Sequence, residues 1–307
     1  MKKLTMRTIL LTAIAAMAVA AANASTVSVC APAGGSCAAS GACSERAARG
    51  EPRISVFLDA VRRVAKDRGV TLAQAAEMLS DLGIRGVDVC VADKKGAEAI
   101  SATKMKIINF YHFPNMLDAE AFKADVADGL AMAKKYGVPR IMVVPSGFTK
   151  GGDPEVEFAA RLAALKTYVE AGKAQGVTIT TEDFGGASNP CSYAKYLKRF
   201  LDGIPDLRFA LDSGNLYYAG RGDSILEMMA FAKGRIEHVH LKDQTKADNH
   251  AYATLGLGAV PNKAVVQAVA RTGYAGWYTL EDLVGGDAYE DAVRQVAVLK
   301  SWIREAK

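Results

Sequence analysis

From Arg53 onward, short apolar runs alternate with amphipathic stretches, and this alternation leaves very few architectures open to the chain. The runs are Ile54-Val56-Phe57, Val87-Asp88-Val89, Ile107-Ile108-Phe110, Ile141-Val143-Val144, Val177-Ile179, Phe209-Leu211, Ile236-Val239-Leu241 and Trp277-Leu280. Each is strand-sized, and most are separated by helical patterns. They predict βα units whose parallel sheet is buried on both faces. Eight strands with about eight helices close into a single (β/α)8 TIM barrel more naturally than they form an open sheet. The competitor, an open doubly wound sheet, lacks the G-x-G-x-x-G after an early strand that would supply its usual cofactor site. The barrel is expected over residues 53–307, with no second domain.

Local signals mark the helices. Thr71 with Gln74 is a capping-box pair ahead of Ala75, Leu79 and Leu82. Asp153-Pro154 supplies an N-cap and an N1 proline, with Phe158, Leu162, Leu165 and Val169 as the apolar face and Gly176 as the stop. Asn189-Pro190 is expected to start another helix, closed by Gly203. Asp287 with Glu290 caps the last, whose stripe is Tyr289, Val293, Val296, Leu299 and Ile303.

The first residues read differently. Lys2, Lys3 and Arg7 precede an apolar stretch from Ile9 to Ala22, and Ala22-Asn23-Ala24 offers an A-x-A cleavage site. Residues 1–24 are therefore expected to be a signal peptide, with a periplasmic or secreted product. The stretch falls short of a bilayer span, so no stable membrane insertion is expected after cleavage. Residues 25–52 are rich in Ala, Ser and Gly and read as a flexible linker. Cys30, Cys37 and Cys43 fall within it without zinc-site spacing, and the pairing of any two of them stays open. Cys90 and Cys191 are expected as buried thiols of the folded part. The full chain carries a net charge of +5, of which the leader's three bases account for 3, leaving 5 − 3 = +2. A near-neutral body has no electrostatic footprint for nucleic acid.

In such barrels chemistry gathers at the C-terminal ends of the strands. Four successive strands here end in Glu182, Asp212, His240 and Glu281. Three converging carboxylates would raise one another's pKa unless a cation lay between them. An oxygen-rich set with one imidazole suits one divalent ion, Mn²⁺ first, with Mg²⁺, Co²⁺ or Zn²⁺ as alternatives. Taken singly, each acid could instead cap a helix or pair with a base. Residues 238, 240 and 242 share one side of their strand, so periodicity does not choose between the two imidazoles. Depth favours His240 as ligand and leaves His238 as a hydrogen-bonded interior residue. Lys242 should reach the rim and meet a substrate oxygen, the alternative being an ion pair with Asp243 or Glu281. His112, Asn215, Asp88 and Trp277 complete the candidate substrate contacts, although His112 could simply pack beside Phe113. His250, in the long loop after strand seven, is a candidate lid residue.

Several motifs carry a family resemblance. Thr181-Glu182-Asp183, Leu211-Asp212-Ser213-Gly214-Asn215, His238-Val239-His240-Leu241-Lys242-Asp243, Gly256-Leu257-Gly258 and Gly273-Tyr274-Ala275-Gly276-Trp277 with Leu280-Glu281 resemble the xylose-isomerase-like sugar isomerase/epimerase superfamily. That superfamily is related in fold to the apurinic endonucleases of family 2. The resemblance implies a metal held by Glu182, Asp212, His240 and Glu281, with two sugar oxygens chelated to it. It also implies Glu182 and Glu281 as the pair that removes and returns a proton through an enediolate, on a sugar, keto-sugar or inositol derivative. Asn215 stands where the epimerase branch often has histidine, Asp88 where many relatives have glutamate, and Leu257 where an acid is common. The same site would serve a lyase or dehydratase, a glycoside-processing enzyme, or a non-catalytic sugar-binding barrel that uses Tyr217, Tyr218 and Trp277. The nuclease chemistry needs more imidazoles than the four histidines present. Phosphorylated substrates are disfavoured because Asp287 caps the helix that follows Gly285-Gly286.

Overall fold

Eight parallel strands close on themselves, each beside its neighbours in chain order and the first beside the last. The computed structural model describes residues 51–222, 224–246 and 251–306. The leader, residues 25–50 of the linker with its three cysteines, and His250 lie outside the described residues. In chain order the elements are β1 (Arg53–Phe57), α1 (Leu58–Arg68), α2 (Leu72–Asp81), β2 (Ile84–Cys90), α3 (Lys94–Ser101) and β3 (Lys106–His112). Next come α4 (Ala119–Tyr136), β4 (Arg140–Val143), α5 (Pro154–Ala174), β5 (Thr178–Glu182), α6 (Ala194–Gly203), β6 (Arg208–Asp212), α7 (Ser213–Tyr218) and α8 (Ser224–Phe231). The chain ends with β7 (Ile236–Leu241), a ribbon of β8 (Asp243–Gln244) and β9 (Tyr252–Ala253), α9 (Asn262–Arg271), β10 (Trp277–Leu280) and α10 (Ala288–Glu305). Each of the eight apolar runs is a barrel strand. The excess over eight helices comes from β1 and β6, each followed by two.

Strand alternation divides the side chains into two environments. Ile54, Val56, Val87, Val89, Phe110, Ile141, Val143, Phe209, Leu211, Val239 and Leu280 join the helices in the main core. The lumen is more polar: Ser55, Asp88, Asn109, Thr180, His238 and Thr279 are all fully buried. All but Thr180 bond a neighbouring side chain, which offsets the cost of burying them. Ser55 Oγ lies 2.7 Å from Thr279 Oγ1, which lies 2.6 Å from His238 Nε2. A small separate apolar cluster of Met142, Val144 and Ala210 has Tyr111 and Phe184 packed against it.

The local signals hold at the caps. Thr71 and Gln74 form both halves of the capping box, and Asp153 and Asp287 each accept two backbone N–H groups. Two details differ from expectation. The Asn189-Pro190 segment makes only a 3₁₀ turn over Pro190–Ser192, and α6 starts afresh after Tyr193. Val293 is 38% exposed, because the buried face of α10 runs instead through Ala292, Gln295, Val296, Leu299 and Ile303. Among the described residues no helix is long and apolar enough to cross a membrane. Cys191 is buried and Cys90 half-buried, both as free thiols.

Candidate metal centre at the barrel mouth

Glu182, Asp212, His240 and Glu281 stand at the ends of β5, β6, β7 and β10, four consecutive neighbours around the barrel. Register fixes their level: Asp212 pairs with His240, and the Glu281 N–H donates to Leu241 O at 3.0 Å. One ligand atom from each lies within 4.8 Å of the others, close enough to hold a metal ion together. The donors also fit such an ion chemically. Asp212 Oδ1 is committed to the N–H groups of Gly214 (2.7 Å) and Asn215 (2.8 Å), Asp212 Oδ2 has only the Lys242 ammonium beside it at 3.1 Å, and Glu281 Oε2 is buried without a hydrogen-bond partner.

The electrostatics show a site with crowded charge. Burial pushes the Glu281 carboxyl well above the usual range, Lys242 opposes the shift, and Asp212 adds to it. Asp212 is held low, since Lys242 and its backbone donors outweigh burial. The His240 imidazole is raised well above its ordinary value: burial acts against the charge, yet hydrogen bonds to Asp88 and Glu182 prevail. His240 Nδ1 is 2.6 Å from Glu182 Oε1, and Nε2 is 3.3 Å from Asp88 Oδ2. With Nε2 facing Asp88, Nδ1 is the nitrogen turned toward Glu182 and the other acids of the cluster, and Asp88 is the carboxylate that sets the tautomer.

The other residues singled out from sequence divide between mouth and interior. Lys242 reaches the rim region and donates to Glu281 Oε1 at 2.8 Å, with Asp212 Oδ2 at 3.1 Å. Its ion pair is thus with Glu281 and Asp212, whereas Asp243 binds backbone. Asn215, on the first turn of α7, has a buried Nδ2 with no hydrogen-bond partner. His238 is the interior residue bonded to Thr279, and burial first, then His240, keeps it neutral. Asp88 lies below His240 and is fully buried, bonded to Asn109 Nδ2 at 2.9 Å, so it touches the imidazole and not the open mouth.

Two expected substrate contacts lie elsewhere. His112 has the parity of Phe110 and faces the helices, where Nδ1 meets the Tyr168 hydroxyl at 2.9 Å. Trp277 opens β10 beside Arg53 and His238, with its ring over Gly86. Four residues of strand, about 13 Å, separate it from Glu281 at the other end of the barrel.

The aromatic wall of the mouth comes from different residues. Phe57 meets the His240 ring edge-on at 5.1 Å and Tyr111 at 5.2 Å, Tyr111 meets Phe113 at 6.1 Å, and Phe113 meets Phe184 at 5.7 Å. Phe57 and Tyr111 point inward by strand parity. That signal is present in the sequence, but a search for polar strand ends passes over it.

A closed parallel barrel with an acid-rich centre at the C-terminal ends of its strands defines the class of protein. The chain belongs to the family described as Xylose isomerase-like TIM barrel, whose profile matches residues 56–304. Among solved structures, the chain is similar to an L-ribulose 3-epimerase at 16% identity and a TM-score of 0.67, covering 83% of this chain and 96% of that one. It is similar to the probable 3-DHS dehydratase involved in petrobactin synthesis from Bacillus anthracis at 12% identity and a TM-score of 0.65, with 80% and 98% covered. It is similar to the IOLI protein with a binding zinc atom at 14% identity and a TM-score of 0.65, with 83% and 99% covered. No curated protein sequence matches the chain.

Proposed function

We propose that this barrel is an exported, divalent-metal-dependent sugar isomerase or epimerase acting through an enediolate on a keto-sugar or inositol derivative. The observation that carries the reading is the convergence of Glu182, Asp212, His240 and Glu281 from four consecutive strands. These four would hold the ion, Mn²⁺ by preference for its oxygen-rich donor set. A bound divalent ion supplies Lewis acidity, which makes the proton next to a carbonyl removable near neutral pH.

The chain's own residues account for the rest. Glu182 and Glu281 flank the pocket from β5 and β10, with β6 and β7 between them, so a bound carbon can present a different face to each. One carboxylate takes the proton and the other returns it. Return to the opposite face inverts the centre, and return to the neighbouring carbon exchanges ketone and aldehyde. Asn215 Nδ2 is the spare donor for a substrate oxygen. Phe57, Tyr111, Phe113 and Phe184 offer apolar surface to the C–H face of a sugar and exclude water. The leader, with its basic start and A-x-A site, supports a substrate met outside the cytoplasm.

The test is deuterium uptake from D₂O by Mn²⁺-loaded protein, followed by NMR across ketopentoses, ketohexoses and inososes. The expected result is loss of one C–H signal next to the carbonyl, slowed about 10²- to 10⁴-fold in Glu281→Gln. Absence of exchange with every member of the panel would contradict the enolising reading.

A further inference from the structure

Lys242 occupies an unusual place for a residue expected to greet substrate. Its ammonium lies 2.8 Å from Glu281 Oε1 and 3.1 Å from Asp212 Oδ2. With Asp212 Oδ1 tied to the first turn of α7, Oδ2 is the oxygen left for a metal. Lys242 therefore sits on the same oxygen that a divalent ion would use. It is almost fully buried, and so is Asp212.

The seat for its stem is built into the fold. A Cβ at Gly214 would overlap Lys242 Cγ and press on Cδ (3.1 Å) and Cε (3.2 Å). The bare glycine backbone on the first turn of α7 thus receives the lysine chain and directs its ammonium between the two acids. Gly214 has no positive φ, so its lack of a side chain matters here for space and not for backbone conformation.

We propose that Lys242 is a displaceable resident cation of the metal centre, its ammonium and a divalent ion being alternative occupants of the Asp212 and Glu281 oxygens. This rests on the metal-dependent reading given above and adds a step to it. The ammonium neutralises the converging acids in the metal-free fold, where three neighbouring carboxylates, two of them buried, would otherwise repel one another. Metal entry sends it off Asp212, and its long flexible chain then carries the charge to the open side of the pocket, where it can meet a substrate oxygen. Metal affinity is correspondingly reduced by the fraction of molecules in which Lys242 still holds its seat.

Calorimetric titration of Mn²⁺ into metal-free wild type, Lys242→Met and Gly214→Ala tests this without any substrate. Removing the competitor should tighten Mn²⁺ binding about tenfold or more in Lys242→Met, the expected result if the displaced state is a tenth or less of the population. Gly214→Ala keeps the lysine but blocks its seat, and should shift affinity the same way by a smaller factor. It also carries the test if the methionine variant fails to fold. Mn²⁺ binding by Lys242→Met alone, with none by wild type, would overturn the proposal, since the lysine would then be a fixed occupant that the ion does not displace. Equal or weaker binding by both variants, with wild type still binding, would overturn the displacement while leaving the metal centre intact. Binding by none of the three proteins would overturn both.

Discussion

Asp243→Ala should destabilise the protein by about 3–5 kcal/mol, because it strips four backbone donors, two buried and two partly buried, of their acceptor at once. Asp243 Oδ1 accepts from the N–H groups of Gln244 (2.9 Å) and Val260 (3.1 Å), and Oδ2 from Gly256 (2.8 Å) and Gly258 (3.1 Å). The loop after β7 is therefore wrapped around one buried carboxylate. Gly256 adopts φ +91°, and a Cβ on Gly258 would overlap Asp243 Oδ1, so both glycines of Gly256-Leu257-Gly258 are demanded by this wrapping. Leu257 between them points outward and is 76% exposed. Urea unfolding of the metal-free protein measures the effect, and a loss under about 1 kcal/mol would mean that water replaces the carboxylate. The corresponding shift in Tm is roughly 10 °C at 2–4 °C per kcal/mol for a domain of this size.

Asp88→Asn should lower metal affinity about 10- to 100-fold with little change in stability. Asp88 is not placed to touch an ion at the mouth. It accepts from Asn109 Nδ2 and faces His240 Nε2, and so holds the imidazole with Nδ1 toward Glu182, Asp212 and Glu281. The isosteric amide keeps the volume but removes the charge that makes His240 a stronger donor, and it sets an amide against Asn109. Competition with a chelator of known affinity measures the change. Unaltered affinity would show that packing alone orients His240, through Phe57 at 5.1 Å and His238 at 4.5 Å between ring centres.

The residues differ in how far the sequence alone could place them, and the reason is geometric. Glu182, Asp212, His240 and Glu281 are legible because each ends an apolar run, and a closed parallel barrel puts all such ends on one rim. His238 and Lys242 are likewise legible, since a two-residue period sends both inward with His240. His112 illustrates the same rule turned the other way: it shares the parity of Phe110, so it faces Tyr168 among the helices. A β-bulge in β3 next to β2 makes that parity hard to count from the strand's start. Trp277 fails on depth, because residue type suggests sugar stacking while its place at the start of β10 sets it at the opposite end. The seating of Lys242 against Asp212 was not legible, since it depends on the bare Gly214 of another element lying against the lysine chain. Nor was the role of Asp243, which closes around donors 13 to 17 residues away in sequence.

The most direct test is the metal content of the purified protein by elemental analysis after incubation with Mn²⁺, beside Glu182→Gln and His240→Ala. About one equivalent of divalent metal is expected in the wild type, as for a single four-ligand site, with loss of that metal in both variants. No bound metal in the wild type, or one equivalent retained in both variants, would contradict the centre formed by Glu182, Asp212, His240 and Glu281.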